Sequence, residues 1–259
     1  MSAGSSSGER ILAILDLFSQ DHPEWTPDEM MARLGYTRTT LYRYLKTLKD
    51  AGFLVSLPNA GFTLGPRFTE LDLLMRASDP LIKTGEPHLK TVAAAHPGTA
   101  FLVRWYGRKL LCVASEVSID NPQSSYPRGR PMPLSRGAIP LVILANLRKS
   151  ERTQIVREQL EDFRTVGRGD TVEDVLTHLR QIRRDGYAVA HGEVTPGVIG
   201  VAAPILVADR SPIAVLCLTS NEADMTPARL DRITHDIRTM AEAISDELNH
   251  QPLPLRQSA

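Results

Sequence analysis

Arg38, Thr39, Thr40, Tyr42, Arg43 and Lys46 fall at spacings that gather them on the outer side of one helix, because Leu41, Leu45 and Leu48 take its inner face. An arginine fork suits the acceptor edge of guanine or a phosphate, a threonine methyl suits thymine, and hydroxyl and ammonium groups suit phosphate oxygens. This is the chemistry of a side that reads a major groove. Charge is distributed to match: Met30 to Lys49 holds five basic residues and no acid, whereas Glu9 to Glu29 holds six acids against Arg10 alone. The alternative is an ordinary small helical domain whose basic side is merely solvated.

The neighbouring sequence supplies the elements that would aim this helix. Thr26 can cap a preceding helix, with Pro27 where a missing N–H costs nothing and Glu29 closing a capping box. Met30, Met31 and Leu34 give that helix its apolar stripe, and Gly35 ends it. Thr37 caps the next helix only two residues later, so the pair must cross steeply. After Ala51-Gly52, the runs Phe53 to Leu57 and Gly61 to Leu64 flank a Pro58-Asn-Ala-Gly61 turn and read as a two-stranded wing, able to touch the DNA backbone or a minor groove. A further helix from Glu9 to Ser19, with Ile11, Ile14, Leu15 and Phe18 on one side, completes a three-helix core.

The chain has 259 residues and a formal net charge of zero, so affinity for a polyanion must come from the local basic patch. Met1 to Gly8 lacks a basic start and an apolar run, and reads as a disordered lead rather than a signal peptide. The longest apolar stretch, Ala138 to Leu147, is too short to span a bilayer. With only Cys112 and Cys217, at no metal-type spacing, the chain suits a reducing compartment, and we expect a cytoplasmic protein that engages no membrane.

Beyond the wing, Pro66 opens a helix whose Phe68, Leu71, Leu74 and Met75 form a stripe that needs a partner, either its own domain or a second subunit. Ser78-Asp79-Pro80 marks a boundary. Leu81 to His96 reads as a helix that settles only after Pro87. Strands follow at Thr99 to Tyr106 and Lys109 to Val117, then a Pro/Arg-rich loop from Tyr126 to Pro133 with room for a short strand. Helices are expected at Ser135 to Leu147, Lys149 to Leu160 and Thr171 to Asp185; strands at Tyr187 to Glu193, Val198 to Val207 and Ile213 to Thr219; and a last helix from Pro227 to Leu248 capped by Thr226. Hairpin-connected strands with helices around them indicate an α+β domain with a mainly antiparallel sheet, not a doubly wound nucleotide fold.

Over nearly its full length the chain resembles the isocitrate-lyase-regulator (IclR) family of bacterial transcription factors. The resemblance rests on Thr40-Leu-Tyr-Arg43 with Leu45, Thr47, Leu48 and Gly52-Phe-Leu54; on Phe62-Thr-Leu-Gly-Pro66; on Gly137-Ala138 opening a helix; and on Gly186-Tyr-Ala-Val189, Glu193, Pro196-Gly197 and Val201-Ala-Ala-Pro-Ile205. It implies a winged helix-turn-helix (1–65), a linker helix (66–79) and a GAF-like effector-binding domain (80–259). It also implies double-stranded operator DNA and a small-molecule effector as partners, homodimers or homotetramers, and no cofactor. The effector pocket carried over from the family comprises Gly137 and Ala138, Ala190, Val198 and Gly200, and Cys217 and Thr219, with Arg136 beside them as a partner for a carboxylate. Three departures remove polarity. Ala190 stands where many relatives have an acid or amide, Ile139-Pro140 replaces a small-residue and lysine pattern, and Cys217 and Thr219 stand where two serines are common. The pocket should therefore take a less polar or aromatic carboxylate rather than a two- or three-carbon keto acid.

Other chemistry has little support. None of the seven histidines pairs as HExxH or HxH, and His191-Gly192-Glu193 offers two ligands, short of a metal site. A nucleophile elbow and a P-loop are absent, and Gly167-Arg-Gly169 lacks the third glycine of a dinucleotide site. Arg128 and Arg130 read as solvated surface, and Trp105 and Tyr106 as core or interface. The reading from another class is an α+β ligand-binding or catalytic domain whose N-terminal module only contacts proteins. A gel shift with the chain's own upstream DNA separates the two.

Overall fold

The computed structural model describes residues 6–119, 128–208 and 211–250. The chain divides into two compact units, Met1–Ser78 and Asp79–Ala259. The first holds helices α1 (Ser7–Leu15), α2 (Pro27–Leu34), α3 (Arg38–Asp50) and α4 (Arg67–Ser78), with strands β1 (Leu54–Ser56) and β2 (Phe62–Leu64). Ile14, Met30, Leu41, Tyr44, Leu45, Leu48, Leu54 and Phe62 form its core.

Helix α1 starts earlier and stops sooner than its apolar spacing suggests. Ser6 caps it, with Glu9 completing a capping box, so the end of the serine-rich lead is helical; Met1 to Ser5 lie outside the described residues. Beyond Asp16 the chain tightens into i→i−3 bonds from Leu17 and Phe18, which keep Phe18 packed against the core without continuing the helix. The wing strands pair antiparallel from Leu54–Leu64 to Ser56–Phe62, and Trp25 bridges to Phe62.

In α4 no side chain is buried. Phe68 meets Phe53 edge to face at 5.3 Å, and Leu71 is half-buried. Leu73, Leu74 and Met75 are 68%, 59% and 58% exposed. The helix thus docks its start on its own unit and leaves an apolar end uncovered.

The second unit is a six-stranded, wholly antiparallel sheet in the order β5-β4-β3-β8-β7-β6. Its strands are β3 (Thr99–Trp105), β4 (Leu110–Val117), β5 (Pro131–Met132), β6 (Ala188–His191), β7 (Val198–Val207) and β8 (Ser211–Asn221). One face carries α5 (Pro80–Ala95) and α10 (Pro227–His250); the other carries α6 (Ala138–Asn146), α7 (Lys149–Glu158), α8 (Leu160–Thr165) and α9 (Val172–Asp185). Both faces are covered, so central strands are apolar throughout but still alternate. Phe101 and Val103 join the α6 side, while Ala100 and Leu102 join the α5 side.

Three expectations need correction here. Helix α5 runs unbroken through Pro87 rather than settling after it. Asp79 caps its start by accepting from Leu81 N at 2.9 Å, and Gly85 lets it approach the sheet so closely that a Cβ there would lie 2.7 Å from Leu102. Helix α6 begins at Ala138, three residues later than expected, because Gly137 at φ 87° is its N-cap. Helix α7 ends at Glu158 rather than Leu160, and the chain turns through Gln159 into α8, a helix the sequence did not indicate, whose Phe163 is fully buried. Pro131 and Met132 supply the short strand of the Pro/Arg-rich loop by pairing with β4; Tyr126 and Pro127 lie outside the described residues.

Candidate functional site

The outer side of α3 is set by what its ends and inner side are doing. Thr37 caps the helix, accepting from Thr40 N at 3.4 Å and donating to the Thr40 hydroxyl at 3.0 Å. Thr40 is therefore half-buried and partly engaged, while Arg38, Thr39, Tyr42, Arg43 and Lys46 are exposed. The Arg38 guanidinium stands 5.5 Å over the Tyr42 ring and that of Arg43 stands 5.2 Å over Tyr44. Such cation–π contacts restrict two long side chains without using up their hydrogen-bond donors. Tyr44 is 3% exposed and accepts from the Ser7 hydroxyl at 3.3 Å, so the platform under Arg43 belongs to the core. Behind α3, Gly35 at φ 68° turns α2 into the crossing.

In the second unit all eight residues proposed for the effector pocket line a single cavity: Arg136, Gly137, Ala138, Ala190, Val198, Gly200, Cys217 and Thr219. Strand register brings part of the set together. Ala190 lies opposite Gly200, and Gly200 opposite Thr219, so β6, β7 and β8 present one row toward the start of α6. A Cβ at Gly200 would be 3.8 Å from Thr219 and 4.0 Å from Ala138, so glycine there holds space open. The unfilled space is about 540 Å³, counting the mouth.

Ile139 and Pro140, one of the departures that lower polarity, also line the cavity, and Phe101, Met132, Pro133, Glu193, Val194 and Thr195, which the sequence did not assign to it, complete the wall. Phe101 sits opposite Cys217 across the sheet, a pairing visible only once β3 and β8 are known to be neighbours. Glu193 accepts from Gly137 N at 2.9 Å and pairs with Arg168. It thereby serves the α6 start in place of a side-chain cap. Pro140 falls in the first turn of α6, where its missing N–H removes no helical bond.

The cavity's thiol is inert. Burial first, and the neighbouring Cys112 second, push Cys217 far above the usual thiol range, and burial raises Cys112 to about 11. Both stay neutral thiols and act as small apolar groups. Among the described residues, no group of three or more histidines, cysteines or acids could hold a metal.

Behind Glu193, Arg168 also reaches His178 Nε2 at 3.0 Å. Burial, then the Arg168 charge, lower the His178 pKa below its ordinary 6.5, and Glu193 raises it only in part. The imidazole is thus neutral at pH 7 and accepts from Arg168. An unfolded chain takes up a proton at this histidine before the folded chain does, so its stabilising contribution is present above about pH 6.5 and is lost as pH falls below that. The thermal midpoint of the wild-type chain should fall more steeply on acidification through this window than that of His178→Gln, by a few degrees. Parallel curves would rule the contribution out.

Comparison with known proteins places both units. Residues 76–246 match the family model described as bacterial transcriptional regulator IclR C-terminal, and residues 7–58 match the IclR helix-turn-helix domain. The chain is 26% identical to the transcriptional regulator XynR of Escherichia coli, covering 94% of this chain and 97% of that one. It is 24% identical to KipR of Bacillus subtilis, covering 92% and 95%. Among solved structures, an IclR transcriptional regulator from Alicyclobacillus acidocaldarius superposes with a TM-score of 0.79 at 25% identity, covering 94% of this chain and 99% of that one. An IclR homologue from Microbacterium hydrocarbonoxydans, complexed with 4-hydroxybenzoate, shares the fold with a TM-score of 0.77 at 19% identity, over 95% of this chain and 100% of that one. The matched domains and curated relatives are transcriptional regulators, not enzymes. With a capped, basic α3 in a winged helix-turn-helix and a helix-covered antiparallel sheet beyond it, the chain belongs to the IclR family and is a DNA-binding transcriptional regulator.

Proposed function

We propose that a small carboxylate with an apolar or aromatic body binds the cavity at the start of α6 and thereby changes the regulator's affinity for its operator. The observation that carries this reading is the convergence of all eight residues on one cavity. Phe101, Met132, Ile139 and Val198 favour an apolar body over a compact keto acid. At the polar end, the Arg168 guanidinium offsets Glu193, so the Arg136 charge is left for an anion, and the α6 start adds its dipole. The relative bound to 4-hydroxybenzoate makes that compound a sensible first probe. Calorimetric titration should show an aromatic carboxylate saturating one site per chain while pyruvate stays silent; the reverse ranking would reject the ligand class.

Arg38, Thr39, Thr40, Tyr42, Arg43 and Lys46 supply the operator contacts in this reading, with the helix entering a major groove. One such helix covers too few base pairs for a unique site, so the regulator works as a homodimer or homotetramer on a symmetric operator. The uncovered end of α4, with Leu73, Leu74 and Met75, is the proposed contact. Burying each such side chain contributes about 1.5–3 kcal/mol. Light scattering at micromolar concentration should give a dimer or larger, and Leu74→Asp should shift it toward monomer. A wild-type monomer that keeps tight operator binding would contradict this. No described helix is long and apolar enough to cross a membrane, and the proposed place of work is the cytoplasm, where the operator lies.

A further inference from the structure

At the opposite end of α6 from the cavity, a second cleft opens where α6 gives way to α7 and where α9 and the start of β8 pass. Arg148, Lys149, Arg152 and Arg183 line it, against Glu151 as the one carboxylate among its lining residues. None of the four cations makes an ion pair among the described residues. Arg152 is only 8% exposed. Its Nη1 donates to Ala145 O at 3.0 Å, which ties α7 to the last turn of α6, but its buried Nε has no acceptor. That tie explains one of its donors and leaves the bare Nε and the surrounding cations unexplained. A buried donor on a charged group, left unmet, is costly. Burial, followed by the charges of Arg183 and Arg180, lowers the Arg152 pKa, as expected where no anion compensates it. Helix α7 starts in the same cleft with Arg148 as N-cap and no side chain closing its free N–H groups.

We propose that this cleft is a second ligand site, which takes a small phosphoryl dianion held by Arg152, Arg148, Arg183 and the N-terminus of α7. Guanidinium forks and a helix N-terminus both match tetrahedral oxyanions, and a dianion in the cleft would offset the uncompensated charge of Arg152. Free phosphate and a phosphorylated metabolite share this chemistry.

Calorimetric titration of the full chain with inorganic phosphate, in low-chloride buffer, tests it. One saturable site per chain is expected, weakened about tenfold or more by Arg148→Glu combined with Arg183→Glu, since two guanidinium contacts are lost and two carboxylates then repel the dianion. Both positions are exposed, so circular dichroism should show an intact fold. Arg152→Met should also lose binding, but because it can unfold the junction the exposed pair is the deciding variant. Arg136→Ala and Arg43→Ala should bind phosphate normally. Absence of saturable binding, its survival in the double variant, or its loss in Arg136→Ala or Arg43→Ala would each overturn the proposal. Methyl phosphate binding tighter than inorganic phosphate would support a phosphorylated metabolite, and the opposite order would support free phosphate.

Discussion

Replacing Arg43 with alanine should weaken specific operator binding by about 1–3 kcal/mol, roughly tenfold to more than a hundredfold, and relax preference at the base pair it reads. The size follows from its setting. Arg43 is exposed on α3, yet its guanidinium is steered by the buried Tyr44 ring, so little side-chain entropy remains to be lost on binding. Arg38, over Tyr42, should behave alike. Lys46, an exposed point charge on a flexible stem, should act on phosphate: Lys46→Ala should weaken all sequences equally and reduce the salt slope by about one. Thr40, whose hydroxyl is engaged by Thr37, should matter less to base reading than Thr39. Electrophoretic shifts with upstream DNA, repeated at several salt concentrations, separate these outcomes. If Arg38→Ala and Arg43→Ala both leave specific binding unchanged, α3 is not the recognition helix.

Ala138→Trp should abolish the response to effector while leaving operator binding without effector close to normal. Ala138 is 4% exposed, and its Cβ faces the space that Gly200 and Thr219 keep open. An indole there would fill the proposed site. It belongs to a different compact unit from α3, so basal DNA contacts should be spared. Overfilling a core can cost about 1–3 kcal/mol, so Gly200→Ala is the companion variant. Its added methyl meets only ordinary contacts, the nearest at 3.8 Å, and should weaken the effector without threatening the fold. A full effector response from Ala138→Trp would place the site elsewhere in the chain.

Local chemistry made much of this architecture legible. Thr26, Thr37, Thr171 and Thr226 announce four helix starts because a hydroxyl that meets a free N–H acts over three residues. Strand β7 runs from Val198 to Val207 as its apolar pattern indicates. Signals that depend on distant packing were not legible. Pro87 should interrupt a helix, yet α5 continues because the sheet beneath Gly85 holds it. Helix α8 has one buried anchor, Phe163, too little for periodicity to show. The eight cavity residues were assembled through family resemblance, not spacing. Phe101 and Met132 were missed because they reach the same wall from β3 and β5, strands far apart in sequence from β6 to β8 that only the sheet order joins to them. The cationic cleft draws on α7, α9 and β8 and had no signature in the sequence.

A ligand can change operator affinity only through its own different affinity for the DNA-bound and free protein, and the factor must be the same in both directions. The most direct test is therefore to measure an effector's dissociation constant with and without saturating operator, and the operator's dissociation constant with and without saturating effector. The two ratios should agree, at about 5- to 150-fold, and both should collapse toward one in Ala138→Trp. An effector that binds the cavity with the same affinity whether or not the protein holds its operator would contradict the account.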